Sequence, residues 1–140
     1  VQGSSTGYVN AQHYRAMDRR IESNDPAMDW AFAKLRDYLQ PDFDQPALIT
    51  AKAIRYDTGG CFKWHRDSRD DNLLQTLSVQ LSDPASYTGG SLRIMDEDAP
   101  VTLPRERGRA IKFNPYSLHC VDKVESGRRY SLIVWCHKSV

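Results

Sequence analysis

Within Tyr56 to Asp67, which reads Tyr-Asp-Thr-Gly-Gly-Cys-Phe-Lys-Trp-His-Arg-Asp, an imidazole and a carboxylate stand one residue apart, at His65 and Asp67. Side chains alternate along an extended chain, so His65 and Asp67 share a face and Arg66 points away. Two such groups are two thirds of a 2-His-1-carboxylate facial triad, which holds non-haem Fe(II) and leaves positions open for oxygen and a co-substrate. The third ligand must come from downstream. His119 is the best candidate, at the start of an expected strand just after the turn in Phe-Asn-Pro-Tyr-Ser-Leu-His-Cys-Val. A His-x-Asp pair alone is a weak signal, and what adds weight is Arg129, ten positions past His119 at the head of the largely apolar run Tyr-Ser-Leu-Ile-Val-Trp. An arginine opening a buried strand needs a partner, because an unpaired buried charge is very costly. A dicarboxylate would provide one through a bidentate pair. Alternation puts Arg129 and Ser131 on one side of that strand and Arg128 on the other.

The elements that must position these residues are mostly short strands. After Pro46, β-rich runs cover Ala47 to Tyr56, Cys61 to Arg66, Leu74 to Leu81, Ser91 to Met95, Pro100 to Leu103, Arg109 to Phe113, Leu118 to Val124 and Arg129 to His137. Gly59-Gly60, Asp83-Pro84, Gly89-Gly90, Gly108, Asn114-Pro115 and Gly127 punctuate them. About eight short strands with no helices between them argue for a sandwich or jelly roll rather than a parallel sheet. Before them, Val1 to Gly7 is Gly/Ser-rich and expected to be irregular. From Asn10, apolar side chains at Tyr14, Met17 and Ile21 predict a short amphipathic helix. A second helix is better marked, by Asp25 as N-cap, Pro26 at the first helical position, a stripe of Met28, Phe32, Leu35 and Leu39, and Pro41 as terminator. Both helices are expected to pack on the sheet.

The chain of 140 residues is read as one domain, 1–140, with a helical N-terminal part at 8–40 and a jelly-roll core at 47–138. Its net charge of +1, with charges of both signs interspersed, argues against a protein that coats polyanions, and a nucleic-acid partner is disfavoured. Three cysteines without a close-spaced pair, Cys61, Cys120 and Cys136, suggest a reducing compartment and a cytoplasmic location. No apolar run approaches the ~18 residues of a membrane span, so no membrane partner is expected. The sequence starts at Val1 rather than Met, which leaves room for native residues before it.

With His65, Asp67, His119 and Arg129 in place, the chain resembles the Fe(II)- and 2-oxoglutarate-dependent dioxygenases, and within them the prolyl 4-hydroxylase-like (PKHD-type) group. Further matches are Arg55-Tyr56 leading through Gly60 to Phe62 and Trp64-His65, then Leu-Ser-Asp-Pro at 81 to 84 and Gly89-Gly90-Ser91-Leu92. The resemblance covers roughly Ala47 to the C-terminus. It implies a double-stranded β-helix (jelly roll, cupin-like) and an iron triad of His65, Asp67 and His119. It implies that Arg129 binds the far carboxylate of 2-oxoglutarate, with Tyr56 and Ser131 assisting. The activity implied is hydroxylation of a C–H bond, most naturally of a prolyl residue in a peptide or protein, with O2 consumed, succinate and CO2 released, and ascorbate as reactivator. A free amino acid or other small molecule is the nearest alternative substrate, and a non-catalytic jelly-roll module that keeps the metal site is an alternative of another class. Asp67 leaves no vacancy for a halide, which separates the chain from halogenases of the superfamily. Trp135 stands where nucleic-acid demethylases of the superfamily carry a second arginine.

Of the remaining residues, Phe62 and Trp64 read as core or rim packing, Cys120 as a small buried hydrophobe and Gly89-Gly90 as a turn. The polar stretch Ser68 to Asn72 directly follows Asp67 and is the candidate for a segment that closes over substrate.

Overall fold

The computed structural model describes residues 13–39, 48–67 and 73–138. Among the described residues, ten strands and one α-helix follow in order: β1 His13–Ile21, α1 Asp29–Leu39, β2 Leu48–His65, β3 Leu73–Gln80, β4 Tyr87–Gly89, β5 Leu92–Asp96, β6 Ala99–Thr102, β7 Ala110–Phe113, β8 His119–Val121, β9 Val124–Gly127 and β10 Arg129–His137. Asp25 caps a 3-10 turn at Pro26–Met28 that leads into α1, its carboxylate accepting from Ala27 N at 3.0 Å.

The main sheet is antiparallel and runs β6-β5-β8-β2-β10-β3-β7. β2 serves both halves of it. Its first part, from Leu48 to Tyr56, pairs with β10, and its last part, from Phe62 to His65, pairs with β8. The sheet therefore curls into two half-sheets, β7-β3-β10-β2 and β2-β8-β5-β6, joined along one chain. This is the double-stranded β-helix. Two apolar clusters hold it. One lies inside the curl and includes Ala16, Ile54, Tyr56, Leu92, Val121 and Val124. The other glues α1, through Phe32 and Leu39, to Ala51, Leu77, Val134 and Cys136 on the outer face of the sheet.

Two expectations change. The expected helix around Tyr14, Met17 and Ile21 is instead the strand β1, paired with β2 from Ile21↔Ala51 to His13↔Phe62. Ala16 and Asp18 face inward, while Tyr14 and Met17 are exposed. The burial period is two, and the inward residues are a small one and a charged one, so apolar spacing misleads. The second change is that Gly59-Gly60 does not separate two strands. It lies in a register irregularity inside β2, between Tyr14↔Cys61 and Ala16↔Tyr56. A Cβ on Gly60 would meet Arg15 O at 2.6 Å, so the residue must be glycine for β1 to approach.

Pro41 and Ser68 to Asn72 lie outside the described residues. Cys61, Cys120 and Cys136 are all free thiols. Among the described residues, no helix is long and apolar enough to cross a membrane.

Candidate active site

His65 ends β2 and His119 opens β8, and the two stand directly opposite each other in the antiparallel pair. Asp67 lies just beyond β2, where its amide donates to Pro115 O at 2.9 Å. The Asn114-Pro115 turn thus anchors one ligand candidate and delivers the next. The ligand atoms of His65, Asp67 and His119 all fall within 4.8 Å of one another. Nε2 of His119 is 3.0 Å and Nε2 of His65 3.4 Å from Asp67 Oδ1.

Each imidazole is oriented by a carbonyl two residues earlier: His65 Nδ1 meets Lys63 O at 2.7 Å and His119 Nδ1 meets Ser117 O at 2.8 Å. A carbonyl only accepts, so both Nδ1 atoms carry the proton and both Nε2 atoms turn toward Asp67. In the neutral rings those are two lone pairs aimed at a carboxylate oxygen. Three acceptors converging this closely call for a cation among them, either protons on the rings or a metal ion. The donor set and the fixed tautomers fit a first-row divalent ion.

The carboxylate is prepared for the same task. Burial alone would push the Asp67 carboxyl up, but His119 and His65, which donate to it when their rings are protonated, and the Thr76 hydroxyl hold it well below the usual carboxylate range. Its second oxygen, Oδ2, accepts from Thr76 Oγ1 at 2.7 Å and from Trp135 Nε1 at 3.3 Å. The ring of Phe62 stacks on His65 at 3.5 Å between centroids, and Phe113 meets His119 edge-on at 4.7 Å.

These groups form one end of a cavity of about 220 Å³. Arg129, Tyr56 and Ser131 line it too. Arg129 is 2% exposed, and the one hydrogen bond its guanidinium makes to the described residues is to Gln80 Oε1, at 2.9 Å. Five N–H donors with one acceptor leave room for a ligand. Tyr56 is its direct partner across β2 and β10, with the guanidinium 5.5 Å from the ring centroid. Burial pushes the Tyr56 hydroxyl up, with Arg129 offsetting part of that, so it stays protonated. Ser131 Oγ is buried without a hydrogen-bond partner among the described residues. A buried guanidinium and an orphan hydroxyl on one strand face fit a carboxylate between them. Arg128 turns outward to an ion pair with Asp57 at 3.3 Å.

Gly89 and Gly90, at φ 69° and 66°, press the β4 end against this site. A Cβ on Gly90 would lie 3.3 Å from Arg129 Cδ and 3.0 Å from Val124 Cγ2. Trp64 does not line the cavity; Arg93 lies over its ring at 5.4 Å. Sequence reasoning passed over Thr76, Ser78 and Gln80, whose signal was three polar residues at alternating positions in a strand. It also passed over Trp135 as a donor, and over Asp18 and Lys52, which line the cavity as an ion pair.

A curled jelly roll with a His-x-Asp…His cluster beside a buried arginine defines a class of metal-dependent oxygenase, and comparison with known proteins agrees. Residues 51–137 match the family model of the 2OG-Fe(II) oxygenase superfamily, and the chain belongs to that family. Membership implies Fe(II), 2-oxoglutarate and O2. A PKHD-type hydroxylase of Psychrobacter sp. is 35% identical over 107 residues, covering 71% of this chain and 40% of the relative. Another, of Shewanella baltica, is 28% identical over 153 residues, covering all of this chain and 68% of the relative. The chain thus spans well under half the length of the first relative and about two thirds of the second. Among solved structures, a Pseudomonas putida prolyl-4-hydroxylase superposes with TM-score 0.74 at 20% identity, over 89% of this chain and 73% of that one. A Trichoplax adhaerens prolyl hydroxylase, solved with a hypoxia inducible factor peptide fragment, gives TM-score 0.78 at 15% identity, over 97% and 69%. At such identities these two speak for the fold.

Proposed function

We propose that this chain is a catalytic domain that hydroxylates a C–H bond, with His65, Asp67 and His119 as the iron ligands and Arg129 as the anchor of 2-oxoglutarate. The observation that carries the reading is the pairing of the triad with a buried guanidinium that has one hydrogen-bond acceptor among the described residues, in the same cavity. Bound Fe(II) and 2-oxoglutarate would supply the oxidising chemistry, with O2 consumed and succinate and CO2 released.

The chain's own residues supply positioning. Arg129 takes the far carboxylate of the co-substrate in a bidentate pair, and Gln80 keeps the guanidinium in place. Ser131 Oγ donates to the same carboxylate, and the protonated Tyr56 hydroxyl is a further donor. Thr76 and Trp135 fix the angle of the Asp67 carboxylate, and the carbonyls of Lys63 and Ser117 fix the imidazoles. Ile54, Leu92, Phe113, Val121 and Ile133 line the wall and keep water out. Ascorbate is the reductant expected to keep the metal ferrous. The likeness to solved prolyl hydroxylases, one of them in complex with a peptide fragment, supports a prolyl residue of a peptide or protein as the first reading of the substrate. A free amino acid is the second reading, and the Lys52–Asp18 pair in the cavity wall favours it.

The test measures metal content and succinate formation together. Replacing His65, Asp67 or His119 by Ala is expected to abolish turnover and metal binding, and full activity in His119→Ala would sink the assignment of the third ligand. Arg129→Ala is expected to raise the 2-oxoglutarate requirement roughly tenfold to a hundredfold, the equivalent of about 1.4–2.8 kcal/mol. Mn(II) binding in that variant stays close to wild type. If 2-oxoglutarate binds equally well without Arg129, the co-substrate assignment is wrong.

A further inference from the structure

Lys52 and Asp18 form an ion pair in the wall of the cavity, away from the residues assigned to metal and co-substrate. Lys52 Nζ lies 3.4 Å from Asp18 Oδ2, with side-chain exposures of 24% and 5%. Strand pairing makes the placement firm. Lys52, Ile54 and Tyr56 alternate on the inward face of β2, and Asp18 of β1 is in register with Ile54. Lys52 Nζ also lies 5.5 Å from the ring centroid of Trp135, whose Nε1 donates to Asp67. One indole therefore separates this pair from the proposed metal site.

A charged pair in a wall that it shares with Ile54, Ile133, Leu92 and Val121 is a poor device for stability. Taking two charges from water costs about as much as their attraction returns, and a well-packed apolar pair of the same volume is often as stable or more so. The charges in the cavity also balance in a telling way. A bound co-substrate carboxylate would match Arg129, and Asp67 would offset part of the charge of a bound metal ion. Lys52 is matched by Asp18. Arg66 also lines the cavity, but it is exposed and its charge is solvated; the Lys52–Asp18 pair itself offers one positive and one negative group side by side, which a zwitterion matches one to one.

We propose that Lys52 and Asp18 together bind the zwitterionic head of a free α-amino or imino acid, Lys52 taking its carboxylate and Asp18 its ammonium. The side chain of that amino acid is then directed past Trp135 toward the metal. Each protein charge exchanges its intramolecular partner for a ligand group of the same sign, so no charge is left unpaired. The cavity size agrees: about 220 Å³ lies below the ~300–1,000 Å³ of pockets that take drug-sized ligands. The co-substrate must share it. This inference rests on the hydroxylase reading above and selects its small-substrate branch.

The test uses the protein loaded with Mn(II), which does not turn over, and saturated with 2-oxoglutarate. Calorimetric titration with the twenty free amino acids is compared with their N-acetyl derivatives, which lack the ammonium, and their amides, which lack the carboxylate. At least one free amino acid is expected to bind, with both of its derivatives tenfold or more weaker. Lys52→Met alone would strand a buried carboxylate and endanger the fold. The double variant D18N/K52M removes both charges, and its melting curve is recorded alongside. In it the three forms of the ligand are expected to bind within threefold of one another. Equal binding of blocked and free forms by wild type, retention of the preference in the double variant, or no binding by any free amino acid would overturn the proposal. A 2-oxoglutarate requirement raised by D18N/K52M as much as by Arg129→Ala would overturn it too, by assigning the pair to the co-substrate. Should wild type not bind 2-oxoglutarate at all, the hydroxylase reading falls, and the same titration with Mn(II) alone still reads the amino-acid head.

Discussion

At the scale of single residues, the site is built by fixing acceptors that would otherwise repel. Two imidazoles locked by backbone carbonyls and one carboxylate locked by Thr76 and Trp135 face a common point. Groups that orient a metal ligand in this way typically change metal affinity ~10–100-fold when removed. Thr76→Val is therefore expected to weaken Mn(II) binding by roughly tenfold or more, with 2-oxoglutarate affinity in the metal-saturated protein unchanged. Metal titration followed by co-substrate titration checks both, and unaltered metal affinity would reduce Thr76 to a packing residue. Tyr56 yields a prediction about pH. Its hydroxyl is held above the ordinary value, so the stabilisation from its neutral form is complete below the unfolded value of ~10 and is lost as pH rises through the folded one. Denaturant melts between pH 8 and 11 are expected to fall more steeply for wild type than for Tyr56→Phe. Parallel slopes would mean that the hydroxyl exchanges freely with water. His65 and Asp67 were legible in the sequence because their spacing puts them on one face of any extended chain, and His119 and Arg129 because their offset fits the motif that the resemblance supplies. Gln80, Lys52 and Asp18 were not, since each matters only through partners on other strands, and those are set by a pairing register that spacing along one chain does not reveal.

At the scale of elements, β1 and the glycine pair at 89–90 shape the site as much as its polar groups do. α1 has a different task. Its buried Phe32 contacts the outer cluster on the far side of the sheet from the cavity, so Phe32→Ala is expected to cost about 3–5 kcal/mol of stability while leaving metal affinity within a factor of about two. Urea denaturation and metal titration of the same variant separate the two effects. Gly90→Ala reaches the site as well. The added Cβ meets Arg129 Cδ at 3.3 Å on a backbone with φ +66°, so a stability loss of roughly 1–2 kcal/mol is expected together with a raised 2-oxoglutarate requirement. A variant that loses stability alone would show that the guanidinium moves aside without consequence. The helix α1 was legible because Asp25, Pro26 and the Met28–Leu39 stripe agree with one another. β1 was not. Its Tyr14, Met17 and Ile21 fit a helical period by accident, and the residues it buries, Ala16 and Asp18, carry no hydrophobic signal. The Gly59-Gly60 break misled for a related reason, because glycine marks close backbone approach inside a strand as readily as it marks a turn.

At the scale of the whole molecule, the site is also a clasp. His65 and Asp67 stand at and just past the end of β2, which threads both half-sheets, and His119 opens β8 in the second half-sheet. A metal ion held by all three would tie the strand shared by both halves to its neighbour, at the point where three acceptors now face each other. Unfolding scatters these ligands, so metal binds the folded state and stabilises it by mass action. At a hundredfold excess over its dissociation constant the gain is about 2.7 kcal/mol, or roughly 8–11 °C in melting temperature for a chain of this size. Mn(II) is expected to raise the melting temperature of wild type by that amount, and excess EDTA to return it to the starting value. His119→Ala removes the ligand supplied by β8 and is expected to lose most of the shift. Phe32→Ala lowers the baseline but keeps the shift, because α1 lies outside the clasp. Arg129→Ala keeps it as well, and addition of 2-oxoglutarate raises the melting temperature further in wild type but not in that variant. Scanning calorimetry on these four proteins reads the whole pattern. A shift that survives His119→Ala would mean that the metal is held without β8, and the sheet would then be closed by its apolar interior alone.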